Sequence, residues 1–396
     1  MQRWIPTVVV CVGVTFGLFE VEYVQAGQLS DDLHEVSRSR LPPVEREELD
    51  VARRDAYDTA MRNVDSDGMA MDAAALLRLH GSGTDLRFSG PLGRRLTELG
   101  ILTTARELDQ PYEWALHELD ALAVGMDEML IDVVRHRKSI TGVGDPESII
   151  MEVGRELFTT RALDSDTYAR ALARLGKTNL VDLIDLMGRY ASTAATLTAF
   201  NQQMPMGWRQ SLPLPFTYPD DIHLDSRSRL PLRQGPYRTS VGALYGRMAS
   251  PGGIGPAQIR AYGEGWQTLE TRIGQRLVML AILATAREHN SQYDWTMYEP
   301  RAVEAGLEEA VIDVVRHRRT LDSVNEKDAT LIAFARELFA DHNVGADTYA
   351  RALEAFGQTD LVDIVSLMGA HAADATVLAG FNQQLPDGTE PLLPLP

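Results

Sequence analysis

Apolar residues along this chain recur at the three-to-four-residue spacing of helices, and stretches that alternate between apolar and polar residues are nearly absent. Residues 93–107 carry the helical pattern, and so do residues 126–137, where Met129, Leu130 and Val133 fall on one stripe. The pattern predicts an all-α fold. The helices predicted in the first copy of the repeat described below cover residues 45–61, 93–107, 111–124, 126–137, 146–158, 164–176 and 178–200.

Residues at the predicted helix ends agree with this assignment. Pro111 suits the first position of a helix, where its missing N–H costs nothing. Gly125 suits the position just after a helix. Asp164 and Thr178 are predicted to cap the two helices that follow them, because short polar side chains accept hydrogen bonds from the first free N–H groups.

The chain repeats itself at a constant offset, which takes position 112 to position 293. Residues 112–114 read Tyr-Glu-Trp and return as Tyr-Asp-Trp at 293–295, and the sequence of 131–137 recurs without change at 312–318. The match to the second copy runs without a gap over about residues 93–215. A period this long with two copies predicts duplicated domains and not a solenoid.

An upstream element also recurs, but at a larger offset. The sequence Ser-Arg-Ser-Arg-Leu-Pro occupies residues 37–42 and again 226–231, so the spacer between this element and the core is shorter in the second copy. We therefore predict two tandem helical domains, residues 27–215 and 216–396, that follow a separate N-terminal segment of residues 1–26.

The N-terminal segment predicts export. A basic start at Arg3 precedes an almost wholly apolar run over residues 4–19, and the small residues at 24–26 suit a signal peptidase. The run is shorter than the roughly 20 residues of a membrane-spanning helix. We expect a signal peptide of residues 1–26 and a periplasmic or secreted protein without membrane contact after cleavage. An uncleaved membrane anchor is the alternative.

Composition narrows the classes of partner and chemistry. The 396-residue chain has a formal net charge of −18 and no basic tract, so it is a poor candidate for binding nucleic acid through a broad patch. Its one cysteine, Cys11, lies in the predicted signal peptide. The exported protein would therefore have no thiol, which excludes disulfides, thiolate metal sites and thiol redox chemistry.

Two predicted helices bring candidate catalytic residues together. Glu113 and His117 are four residues apart and share one helix face. Glu98 reaches the same point from the preceding helix if the two pack as an antiparallel hairpin. Two carboxylates and an imidazole between helices can form an acid/base site or a satisfied buried ion cluster, and the sequence leaves both interpretations open.

These motifs carry a family resemblance. The arm at residues 37–42, the helix with Glu98 at its centre, the sequence Tyr-Glu-Trp-Ala-Leu-His at 112–117 and the long last helix look like the carboxymuconolactone decarboxylase family, whose wider superfamily includes the alkylhydroperoxidase AhpD. The resemblance covers about residues 37–215 and 226–396. It implies an AhpD-like all-α fold in both domains, an active site between helices and a homo-oligomer with trimer-like symmetry.

The resemblance also separates two activities. Members of the AhpD type use a glutamate, a Cys-x-x-Cys pair and a histidine; Glu98 and His117 match the glutamate and the histidine, but Gln110 and Glu113 stand where the cysteines would be. A peroxidase reaction is disfavoured, because the thiolate is its reagent. The decarboxylase branch matches at Glu113 and His117. It implies release of CO2 from a small carboxylated or lactone substrate without a metal or an organic cofactor.

For such a reaction we predict His117 as the proton donor. Glu113 and Glu98 would hold its ring and raise its pKa, since nearby anions favour the protonated imidazole. Two arginines could bind a substrate carboxylate, and two aromatic residues are substrate-binding candidates with core or interface packing as the alternative. These four residues are Arg95, Arg106, Tyr112 and Trp114.

The second copy lacks the same trio. At the positions that the repeat pairs with Glu98, Glu113 and His117, the second copy has, in order, the residues Met279, Asp294 and Tyr298. This loss favours a functional role in the first domain and predicts a degenerate site in the second, although it is also compatible with two idle sites. A non-catalytic binding or scaffold protein on the same fold is the alternative function.

Overall fold

The computed structural model describes residues 29–62, 72–204, 207–208, 210–215, 219–232 and 255–395. The predicted signal peptide lies outside the described residues. The prediction of an all-α fold is confirmed, since the described residues form fifteen α-helices and no β-strand. The helices are α1 Val51–Ala60, α2 Ala73–Arg78, α3 Arg94–Glu107, α4 Pro111–Ala123, α5 Glu128–Arg135, α6 Glu147–Thr159, α7 Ser165–Leu175, α8 Lys177–Ala199, α9 Pro256–Arg260, α10 Leu269–Ile273, α11 Gln275–Glu288, α12 Gln292–Glu304, α13 Glu309–Arg316, α14 Glu326–Phe339 and α15 Ala346–Gly380.

Two predicted helix starts need correction. The helix predicted over residues 45–61 is a short 3-10 turn followed by α1, because the backbone is extended at Leu49 and Asp50, where the Asp50 side chain accepts the Arg53 N–H. Thr178 does not cap α8. That helix begins one residue earlier, directly after Gly176, whose φ of 78° gives the chain its change of direction.

The helix pattern of the chain repeats at the offset seen in the sequence. The helices α3, α4 and α5 have the same lengths as α11, α12 and α13, and each begins at the position that the repeat pairs with its counterpart. The break between α7 and α8 at Gly176 returns inside α15 at Gly357, where φ is 72°. Ten described residues other than glycine have positive φ, and they form five repeat-related pairs: Arg38 and Arg227, Asp109 and Asn290, Arg137 and Arg318, Arg161 and His342, and Asn201 and Asn382.

We use first half for residues 29–215 and second half for residues 219–395. The halves meet where α8 packs against the C-terminal part of α15. A Cβ atom on Gly188 would lie 2.9 Å from the carbonyl oxygen of Ala373, and one on Gly369 would lie 2.6 Å from Oγ of Ser192. These two contacts are related by the repeat, so small residues let the helices approach closely at both points.

The two arms, residues 37–42 and 226–231, join the halves in equivalent ways. The N–H of Arg40 donates to the carbonyl of Phe381 at 2.9 Å, and the N–H of Arg229 donates to the carbonyl of Phe200 at the same distance. Both arginine side chains are buried. Each arm therefore covers the end of a long helix, α15 for the first arm and α8 for the second.

The central helix of each half is almost fully enclosed. Every residue from Thr97 to Glu107 in α3 is buried, and so is every residue from Leu277 to Glu288 in α11. Within the described part of the chain, α15 is long and apolar enough to cross a membrane, but 78% of its most apolar window is buried inside the protein. It is therefore packed as a core helix of this fold.

Candidate functional site

Glu98 and His117 meet in the hairpin formed by α3 and α4. The hairpin turns at Asp109, which has a positive φ, and α4 begins at Pro111 while the Gln110 side chain accepts the Tyr112 N–H. Oε2 of Glu98 lies 2.6 Å from Nδ1 of His117, and both side chains are almost fully buried. The structure thus brings together the two residues that a hairpin would place side by side.

Two arginines that the sequence reasoning missed surround this pair. Arg94 lies 2.8 Å from Oε1 of Glu98, and Arg87 lies 3.8 Å from the same oxygen. Arg87 also pairs with Asp120 at 2.6 Å. The spacing of four residues between Arg94 and Glu98 could have predicted their ion pair from the sequence. Arg87 lies outside the helices, so no helical spacing predicts its contact with Glu98.

The pKa values at this pair differ from the prediction. Burial alone would raise the pKa of Glu98, but the hydrogen bond with His117 and the charges of Arg87 and Arg94 together lower it. Burial lowers the pKa of His117 despite its bond to Glu98. The predicted increase was wrong, because desolvation outweighs the carboxylate. The lowered pKa favours the neutral imidazole, and in that form the tautomer with the proton on Nδ1 donates to Glu98 and leaves Nε2 as an acceptor.

Glu113 does not hold the His117 ring. Neither of its carboxyl oxygens has a hydrogen-bond partner among the residues that the structure describes, although both are buried. Burial raises its pKa well above the ordinary value, and the charges of Arg260 and Arg87 offset only part of that increase. Helical spacing puts Glu113 and His117 on one helix face. Burial makes Glu113 a weaker acid than an ordinary glutamate and His117 a weaker base than an ordinary histidine.

Tyr190 completes the first-half site. The ring of His117 packs edge-on against Tyr190 with 5.0 Å between centroids. In the second half, Tyr298 packs edge-on against His371 at 5.3 Å. The repeat pairs position 117 with 298 and position 190 with 371, so the histidine and the tyrosine have changed places. The prediction that the second site lacks an imidazole considered position 298 alone and was incomplete.

An arginine from the opposite half lies near the buried carboxyl group of each site. Arg260, on α9 of the second half, lies close enough to Glu113 to lower its pKa. Arg78, on α2 of the first half, acts in the same direction on Asp294. Burial and the charge of Asp374 nevertheless raise the pKa of Asp294 to about 8. Both sites therefore lie against the interface between the halves.

The structure does not bring the predicted substrate-binding cations to the site. Arg95 pairs with Glu147 at 2.6 Å and is partly exposed. The Arg106 guanidinium donates to the Arg135 carbonyl at 2.6 Å, at the far end of α3. Both predictions rested on proximity in sequence, but Arg95, three residues before Glu98, and Arg106, eight residues after it, have partners elsewhere.

The two aromatic candidates are packed in the interior. The Trp114 ring is fully buried, and its Nε1 donates to Glu118 at 3.0 Å and to Ser211 at 2.9 Å. Tyr112 is buried in an apolar cluster made mostly of second-half residues. The alternative of core and interface packing therefore describes both residues.

Three side chains at the site also have the spacing of metal ligands. One ligand atom each from Glu98, His117 and Asp120 lie within 4.8 Å of one another. However, Arg94 and Arg87 already pair with the two carboxylates, and a cation placed there would face both guanidinium groups. The donor set is therefore a poor fit to a divalent metal.

Comparisons with protein-family models, with curated proteins and with solved structures found no match to this chain. The resemblance to the carboxymuconolactone decarboxylase family, the division into two domains of that family and the predicted oligomer all stay predictions. The interpretation of the site therefore rests on its own residues. Their main feature is a buried carboxyl group with a raised pKa and a buried imidazole with a lowered pKa, one helix turn apart.

Proposed function

We propose that the first-half site is a cofactor-free acid/base centre of the decarboxylase-like kind that acts on a small carboxylated or lactone substrate. The observation that carries the proposal is Glu113, a buried carboxyl group without a hydrogen-bond partner among the described residues, one turn from His117. Buried polar groups are nearly always satisfied, so an orphaned carboxyl group needs an explanation. A substrate that accepts its proton supplies one.

The roles of the residues change from those predicted. Glu113 is the proton donor, because its raised pKa keeps it protonated where an ordinary glutamate is ionised. His117 is the proton acceptor at Nε2, with Glu98 fixing its tautomer through Nδ1. Groups whose pKa values are displaced in opposite directions are typical of an acid/base pair.

In a decarboxylation the bond between carbon and the substrate carboxylate breaks, its electron pair stays on carbon, and Glu113 delivers the proton to that carbon. His117 takes up the replacement proton from solvent at Nε2 and passes it through water to Glu113, which restores both groups for the next turnover. Arg260, which lies near Glu113, is the cation placed to bind the substrate carboxylate, instead of Arg95 and Arg106.

The test is CO2 release by the purified full chain with a panel of small lactones and carboxylated ring acids. Glu113→Gln should abolish turnover, and His117→Gln should reduce it by about 100-fold or more. The control is His317→Gln, which changes an exposed histidine of the second half. The rate should fall at high pH as Glu113 ionises and at low pH as His117 protonates.

A non-catalytic binding or scaffold protein is the second candidate, and one observation favours it. Glu98, Glu113 and His117 are each at most 2% exposed, so a substrate enters only if the interface opens. If no panel member is turned over and none raises the thermal midpoint of the wild type, the enzyme proposal fails and the scaffold function stands.

A further inference from the structure

A second group of titratable side chains surrounds a small cavity between the halves, away from Glu98 and His117. The cavity has a volume of about 20 Å³. Its lining includes two repeat-related pairs of residues, Leu108 with His289 and Arg161 with His342. A space of this size holds one water-sized particle and excludes larger polyatomic groups.

Arg161 brings a positive charge to this cavity. Its guanidinium makes no hydrogen bond and no ion pair with the residues that the structure describes. The carboxylate whose charge acts on Arg161 is Glu288, and Glu288 is already paired with Arg318 at 3.1 Å. An arginine does not neutralise itself by losing a proton, so a partly buried one whose neighbouring carboxylate is paired with another cation can take a further anion.

The two histidines supply further donors. His289 is 8% exposed, and its Nδ1 lies 2.9 Å from the Thr285 carbonyl, which fixes the proton on that nitrogen. Its Nε2 has no hydrogen-bond partner among the described residues and belongs to a side chain that lines the cavity. His342 lines the same cavity from the loop between α14 and α15. Once protonated, each ring can donate to a particle in the cavity.

We propose that this cavity binds a single halide-sized anion, held by Arg161 and accompanied by a proton on His289 or His342. Burial and the Arg161 charge lower the pKa of His289 to about 3. An anion would reverse part of that effect, so it and the proton bind together. The charged and titratable groups that act on His289 are Arg161 and His342, and those that act on His342 are Arg161, Asp109, Arg137 and Asp341. Glu288 and Arg318 act on Arg161 itself.

The test uses sodium chloride against sodium gluconate at one ionic strength, with the full chain, at pH 5.5 and pH 8. Chloride should raise the urea midpoint in a saturable way, and more at the lower pH. Chloride-35 nuclear magnetic resonance should show line broadening by the wild type that bromide reverses. Arg161→Gln should weaken chloride binding by about tenfold or more, since it removes a charged hydrogen-bond donor.

Two further variants keep the outcome clear. His289→Leu places at position 289 the residue type of its repeat-related partner, Leu108, and together with His342→Gln it should remove the pH dependence. Arg189→Gln is the matched control, because Arg189 lies on α8 but is exposed and pairs with Asp185. Equal midpoints in chloride and gluconate would assign the cavity to water and overturn the proposal. So would a chloride effect that Arg161→Gln retains.

Discussion

The imidazole of His117 packs edge-on against the phenol of Tyr190, and the second half makes the same contact with the two residue types exchanged. The exchange keeps one imidazole and one phenol at each site, although each residue sits on a different helix. The exchange indicates that the two rings of each pair pack as a unit, with the space for each ring set by the other.

The exchange predicts a measurable coupling. His117→Tyr and Tyr190→His should each destabilise the protein, because each places two like rings in a space built for unlike ones. The double variant should lose about 0.5–3 kcal/mol less free energy of unfolding than the two single variants lose in total. Urea unfolding of the four proteins gives this cycle. The matched cycle at Tyr298 and His371 should have the same sign, and additivity at both sites would contradict the coupling.

Glu98 is predicted to contribute strongly to stability. Glu98→Gln removes the negative charge that faces His117, Arg94 and Arg87, and breaking a buried ion pair costs about 3–5 kcal/mol. The repeat offers a control, Met279→Leu, which should cost less than about 1.5 kcal/mol as a volume-conserving change. Chemical denaturation measures both. If both variants lost a similarly small free energy of unfolding, the ion pairs of Glu98 would not contribute to stability.

Asp294 should make the stability of the protein fall as the pH rises from about 4 to about 8. Its pKa is raised from 3.8 to about 8, so the folded state binds this proton more tightly than the unfolded state does. The free energy of unfolding therefore falls by up to about 1.4 kcal/mol per pH unit between those two values. Asp294→Asn removes this slope.

The measurement is the difference in unfolding free energy between wild type and Asp294→Asn at pH 5, 6, 7 and 8. The variant should gain stability relative to the wild type as the pH rises. The other titrating groups contribute equally to both proteins, so their effects cancel in the difference. A constant difference would show that Asp294 keeps an ordinary pKa in the folded protein.

The close crossing of α8 and α15 gives a steric prediction. A Cβ atom on Gly188 would lie 2.9 Å from a backbone oxygen of Ala373, which cannot rotate away. Gly188→Ala should therefore destabilise the protein by about 1–2 kcal/mol, the cost of overpacking less the gain in helix propensity. Thermal unfolding measures it. Gly144→Ala is the control, since its added methyl group meets no atom within 4 Å, and equal effects would refute tight packing.

Much of the fold was predictable from the sequence, because apolar spacing and helix-end residues act locally. Pro111 marks the start of α4, and the hairpin that it defines brings Glu98 to His117. The site was predicted less well. Arg260 comes from the other half, which no local pattern reveals, and Glu113 shares a helix face with His117 without touching it.

The pKa errors have one physical cause. Sequence spacing shows which charges can be neighbours, but it does not show how much water remains around them. At His117 the loss of water outweighs a carboxylate at 2.6 Å, so its pKa is lowered where the sequence predicted an increase. His371 was overlooked because positions were compared singly, and an exchange between two helices is invisible in such a comparison.

The arms have a topological consequence. The N–H of Gln203 donates to the Arg227 carbonyl at 2.8 Å, and the N–H of Gln384 donates to the Arg38 carbonyl at the same distance. The first junction is spanned by the polypeptide between residues 203 and 227, and the second closes by non-covalent contact alone. The molecule is a ring of two units with one covalent link. The contacts between the halves do not depend on which half comes first along the chain. A circular permutant that joins the present chain ends and is cut between residues 203 and 227 is expected to keep these contacts.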